Sequence, residues 1–385
     1  MVRVALRAGR IFDGERLLDH GVVLVEGGLI TGTAREVPAD WPVSDVPGGT
    51  VLPGLIDAHV HLTADAGPGA LDRLREATED VVFGTIEQSL RLHLAAGVTT
   101  VRDLGDMNDA VLNWRHREVP GLPTVVAAGA PLTSVGGHCW WLGGEAEGPE
   151  QLRAAVRRRA EKGADVIKIM ASGGPMTPGS DTMNPQFTAP ELAAAVEEAH
   201  ALGLPITAHA HALAAVRQAL DAGVDGIEHC TCLTPDGVAI DDELLARLAA
   251  AEIAVCGTLG SDASVVVPPE ILEAVARAGI TETALQQAVR RVYDGGARLV
   301  AGSDGGIGPA KPHGLLPATL AEYVQSGIPP IAALTSATST AADVLGLGDR
   351  KGRIRPGADA DLLLVNGDPA DDITTLAHPV AVYQA

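Results

Sequence analysis

Residues 51–62 read VLPGLIDAHVHL, an apolar run that stops on His59 and His61. Residues two apart on an extended strand share a face, so the two imidazoles project together. Further apolar runs fall at 99–103, 124–128, 166–170, 206–208, 226–228, 253–256 and 299–303, which with 55–58 make eight. Helical patterns lie between them at 76–96, 150–162, 189–202, 212–222, 241–251 and 281–295. A glycine follows four of these segments, at 97, 163, 203 and 223, where a left-handed C-cap is expected. Strictly alternating strands and helices predict parallel strands. Eight of them predict an α/β fold of the (β/α)8 TIM-barrel type. A doubly wound open sheet is the alternative, but no GxGxxG or GxxxxGK[ST] follows any run.

The two ends of the chain read differently. Short strands at 4–6, 22–26 and 29–32, with a turn at Glu26-Gly27-Gly28, precede the first run. Segments 361–366 (DLLLVN) and 379–384 close the chain in the same style. Residues 1–54 and 349–385 are expected to form one small β-sandwich domain, with the barrel, 55–348, inserted between them.

Of 385 residues, 46% are hydrophobic but only 3% aromatic, so Val, Leu, Ile and Ala must build the core. A net charge of −21 repels phosphate backbones and anionic lipid, which argues against nucleic acid and membrane partners. None of the four cysteines, Cys139, Cys230, Cys232 and Cys256, forms a CxxC pair. That fits a reducing compartment. With no signal-peptide h-region and no membrane-length apolar run, a cytoplasmic protein is expected. Its expected partners are a small-molecule substrate and copies of itself in a homo-oligomer.

The run ends carry the chemistry. The His59/His61 pair suits Zn, Fe, Mn or Ni, against a plainer reading as polar residues closing a strand. Lys168 sits inside VIKIMASGG, where an uncompensated charge is costly. Its neighbours Ile167 and Ile169 would face the helices, which turns Lys168 inward. Burial and nearby cations lower a lysine pKa, and the freed amine can take up CO₂ as a carbamate. A Schiff-base lysine and a buried ion pair are the rival readings. His209 and His211 end the fifth run (TAHAHA), His229 the sixth (GIEHC) and Asp304 the eighth (VAGSDGG). Each alone is weak. Together they gather on the face where barrel enzymes keep their active sites.

This set resembles the amidohydrolase superfamily, in particular the imidazolonepropionase-like branch that includes Xaa-Pro dipeptidases and ochratoxin-type amidases. VLPGLIDAHVHL, GVTTVRDLG, GADVIKIMASGG, AGVDGIEHC, GSDGG and RKGRIRPGADADLLLV carry the resemblance across nearly the whole chain. It implies two divalent metal ions, usually Zn²⁺. His59, His61 and Asp304 would hold one, His209 and His229 the other, with N6-carboxylated Lys168 bridging both. Catalysis would rest on Asp304 as proton shuttle, with Lys168. The activity implied is amide hydrolysis of a dipeptide or an N-acyl amino acid with a free carboxylate. A cyclic amide, lactone, carbamate or phosphotriester is the alternative substrate class, and a non-catalytic barrel the rival outside enzymology. His138, His211, Trp140 and Arg102 are the candidate substrate contacts, Arg102 for a carboxylate. For Arg102 an ion pair within the barrel is the competing reading, and for Trp140 loop packing.

Overall fold

The computed structural model describes residues 2–277 and 281–385. Four strands open the chain: β1 (Arg3–Phe12), β2 (Leu17–Glu26), β3 (Leu29–Ala34) and β4 (Val43–Pro53). Then come β5 (Leu55–Val60), β6 (Val98–Asp103), β7 (Thr124–Ala127), β8 (Ile167–Met170), β9 (Ile206–Ala212), β10 (Gly226–Thr234), the two-residue β11 (Gly237–Val238), β12 (Ala254–Cys256) and β13 (Arg298–Val300). β14 (Leu362–Asn366) and β15 (Pro379–Tyr383) close it.

All eight expected inner strands are present and parallel. β5-β6-β7 form one sheet and β8-β9-β10-β12-β13 another. Isolated bridges span both seams, pairing Leu132 with Ile169 and Val60 with Gly305. At the first seam Leu132 N donates to Lys168 O at 2.8 Å and Met170 N to Leu132 O at 2.8 Å. At the second, Asp304 N donates to His59 O at 2.8 Å and His61 N to Gly305 O at 2.8 Å. β5, β6 and β8 are buried along their whole length. Both faces being covered explains why these strands read as continuous apolar runs rather than as alternation.

Helices pack outside. Ile167 and Ile169 join an apolar layer with Leu152, Val156, Leu192 and Val196 from helices Gly148–Glu161 and Ala189–Ala201. Each buried isoleucine contributes about 1.5–3 kcal/mol. That layer forces the opposite orientation on Lys168. Thr188 and Glu191 form a reciprocal capping box at the start of the second helix. Gly223, at φ +81°, ends helix Leu213–Ala222 in the left-handed conformation expected of it.

The terminal strands make one hydrogen-bonded six-stranded sheet, ordered β15-β14-β4-β1-β2-β3. Its β3 edge turns back onto the segment before β14, where Ile30 N donates to Ala358 O and Ala360 N to Gly28 O, both at 2.8 Å. The link between the two ends is β4, which the sequence reading passed over. It pairs parallel with β1 and antiparallel with β14, and so joins the two ends of the chain in a single ladder. Pro47-Gly48-Gly49 interrupts its pattern, and the β1 register shifts opposite that break. Among the described residues no helix is long and apolar enough to cross a membrane.

Candidate metal centre

The ends of β5, β8, β9, β10 and β13 converge. Ligand atoms of His59, His61 and Asp304 lie within 4.8 Å of one another, and so do those of His209, His211 and His229. The two groups adjoin, with the His59 and His229 rings 5.4 Å apart. Asp304 Oδ1 is 3.2 Å from His61 Nε2 and 3.4 Å from His59 Nε2. His209 and His211 share a face because β9 alternates regularly through them. β10 does not alternate. His229 has φ +68° and Cys230 φ +47°, and the pairing with β9 slips after His229. This bulge turns both Glu228 and His229 inward, where a regular strand would oppose them. Asp304 is also left-handed, at φ +59°. Strain of this kind collects at functional sites.

The inner imidazoles are held by one ring nitrogen each. His59 Nδ1 lies 2.7 Å from Glu228 Oε2, and His61 Nδ1 donates to Gly105 O at 2.9 Å. His229 Nδ1 lies 2.7 Å from Thr258 Oγ1, His211 Nδ1 3.0 Å from Thr231 Oγ1, and His209 Nε2 3.1 Å from Gly173 O. Each ring thus keeps its other nitrogen for a ligand. Burial lowers His59 and His211 to about 4 and holds His209 and His229 well below the usual range. They are neutral at pH 7, the form that ligates metal. Burial also lowers the Lys168 amine, with Glu228 and Asp304 opposing. Among the described residues Lys168 has no hydrogen-bond or ion-pair partner within its side chain's reach. Burial alone would raise Asp304, but His59 and His61 outweigh it and keep the carboxylate ionised. Imidazole, carboxylate and an amine competent to become a carbamate fit divalent zinc-like ions. His59, Glu228 and Cys256 also fall within 4.8 Å, but the Arg102 charge on Glu228 disfavours a cation there.

These depressed imidazoles make the metal-free protein sensitive to acid. The unfolded chain binds their protons near pH 6.5, whereas the folded chain resists protonation to about pH 4 or below. The unfolded state therefore gains protons first as pH falls. Stability should drop by about 1.4 kcal/mol per pH unit for each such imidazole between those limits. His313, lowered by burial to about 4 and donating to Ala64 O, adds to the effect. The Tm of chelator-treated protein should fall steeply from pH 6.5 to 4. A flat Tm over that window would contradict the assignment.

Not every expected contact is in place. Arg102 does not face the mouth. It is buried, with Nε donating to Ala58 O at 2.7 Å and one terminal nitrogen to Glu228 Oε1 at 3.1 Å. This corrects its expected role as a carboxylate anchor, because the guanidinium is already committed inside the strands. His138 stands over the cluster, its ring 4.6 Å from His209 and its Nδ1 2.9 Å from Thr177 Oγ1. Trp140 is 39% exposed, edge-on to Trp141, with Arg75 over both rings. Glu228, Thr258 and Asp57 went unnoticed in the sequence. Asp57 accepts from Ser303 Oγ at 2.6 Å and Ser303 N at 2.9 Å, tying β5 to the loop that carries Asp304. The signal for Glu228 was available, since it is a carboxylate inside an otherwise apolar strand, next to His229.

Comparison with known proteins places the chain in a family. The model of the amidohydrolase family matches residues 50–385, and the chain belongs to that family. An ochratoxinase of Aspergillus niger is 26% identical over 96% of this chain and 82% of its own. An imidazolonepropionase of Ralstonia nicotianae is 27% identical over 93% of this chain and 90% of its own. The crystal structure of a Xaa-Pro dipeptidase with methionine bound in its active site matches with a TM-score of 0.87 at 27% identity, covering 99% of this chain and 98% of that one. This company supports hydrolysis of a carbon–nitrogen amide bond.

Proposed function

We propose that the chain is a binuclear metal-dependent amidohydrolase that cleaves a dipeptide or an N-acyl amino acid carrying a free carboxylate. The observation behind this reading is the convergence of His59, His61, Lys168, His209, His229 and Asp304 at adjacent strand ends. In this reading the seam hydrogen bonds close the eight strands into a (β/α)8 barrel, with residues 1–54 and 349–385 as a separate small domain. His59, His61 and Asp304 would hold one ion and His209 and His229 the other, most simply Zn²⁺. Lys168, once carboxylated at its amine, would supply an anionic ligand. When bound, such ions lower the pKa of a water toward neutrality and polarise a carbonyl oxygen. Asp304 would accept a proton from the attacking water as its oxygen bonds to the carbonyl carbon. It then passes the proton to the leaving nitrogen as the C–N bond breaks. His138, His211 and Trp140 line the path of the substrate. A small-molecule substrate, a homo-oligomeric state and a cytoplasmic setting complete the proposal, and four free cysteines are consistent with the last.

The test is a panel of Xaa-Pro dipeptides and N-acyl amino acids assayed with the zinc-loaded protein. Turnover of at least one free acid, and slower turnover of its neutral amide, is expected. No turnover of any member would remove the substrate assignment.

A further inference from the structure

The two groups of ligands sit in unequal electrostatic surroundings. Around His59 and His61 three carboxylates gather, set against the Arg102 guanidinium on Glu228 and the Lys168 amine. Asp304 faces both rings, and the buried Glu228 carboxylate accepts from His59 Nδ1. Asp103, buried beside β5 and accepting from Leu62 N and Gly105 N, adds its field at His61. Around His209 and His229 the neighbours are neutral or cationic. Their ring partners are a carbonyl and a hydroxyl, Gly173 O and Thr258 Oγ1. Lys311, which donates to Thr258 O at 2.8 Å and Ser303 O at 3.1 Å, brings a positive charge to His229 and also to Asp304, which follows Ser303.

We infer that the two metal positions differ in affinity, and that Glu228 is the positioning residue that makes the His59–His61–Asp304 position the tighter one. This rests on the metal-centre reading above. A carboxylate behind a ligating imidazole fixes its tautomer and orientation and makes the ring a better donor, and such outer contacts govern affinity by about 10–100-fold. Glu228 is itself fixed. Thr207 Oγ1 and an Arg102 terminal nitrogen both donate to its Oε1, at 2.6 and 3.1 Å, while Arg102 also holds Ala58 O, the carbonyl next to His59. Among the described residues no carboxylate backs a ring at the second position, only the Thr258 hydroxyl and the Gly173 carbonyl. The ions should therefore load in order, and the His209–His229 position should empty first.

Zinc titration of the chelator-stripped full chain against a competing chromophoric chelator tests this. Two steps, separated by about tenfold or more, are expected. Glu228→Gln keeps size and hydrogen bonding but removes the charge, and should weaken the tight step by about 10–100-fold while the weak step moves less than about threefold. Thr258→Val should weaken the weak step only. Glu228→Gln leaves the Arg102 charge buried without its partner, which endangers folding. The pair Arg102→Met with Glu228→Gln removes both charges, and should give the same selective loss in a protein that folds. One step for both ions in the wild type, or a Glu228→Gln effect confined to the weak step, would overturn the inference. Absence of zinc binding altogether would sink the metal centre itself, which is a different outcome.

Discussion

Asp304→Asn is expected to lower kcat by about 10²–10⁴-fold while leaving the fold intact. The size follows from the role. An amide has nearly the shape of a carboxylate and keeps one oxygen for a ligand, but it cannot take a proton from water and return it to nitrogen. The backbone tolerates the change, since Asp304 sits at φ +59°, a region where Asn is as comfortable as Asp. Its anchor, Asp304 N donating to His59 O, does not involve the side chain. The lost interactions with His59 Nε2 and His61 Nε2 should cost metal affinity at that position far less than they cost rate. Measuring kcat and bound zinc on the same sample separates the two. A variant within about tenfold of wild-type kcat would remove Asp304 as the proton carrier.

Strand order and the inward-facing imidazoles were legible because parallel inner strands leave a plain record. Both faces of β8 are buried, so a lysine in IKIM must either be paired or be chemically used. Regular alternation placed His59 with His61 and His209 with His211. Legibility ended where alternation ended. At β10 the left-handed His229 rotates Glu228 into the interior, and period-two reasoning puts those two on opposite faces. Arg102 failed differently. Its strand and depth were readable, but its partner lies on β10, 126 residues away, and pairing across such a distance leaves no local pattern. β4 was lost because Pro47-Gly48-Gly49 reads as a turn, while its two sheet partners come from opposite ends of the chain. Helices Leu316–Gln325, Pro330–Ser336 and Ser339–Val344 also went unread. The last two are short, with little room for a periodic stripe to develop.

Lys168→Ala is the substitution with the widest expected consequences. The zinc content should fall from about two ions per chain to about one or fewer, and activity by roughly 10²-fold or more. Stability separates this from simple misfolding. In the metal-free protein Lys168 is a buried amine with no partner among the described residues, so removing it relieves a desolvation cost as well as losing packing. The two effects oppose each other, and the Tm of the stripped variant should lie near that of the stripped wild type. With zinc present the proteins should part. Metal at about a thousand times its Kd stabilises the folded state by about 4 kcal/mol per site. The wild type should show that gain and the variant should lose most of it. If Lys168→Ala keeps both ions, the zinc-dependent rise in Tm and full activity, then the amine bridges nothing, and its place inside β8 requires another explanation.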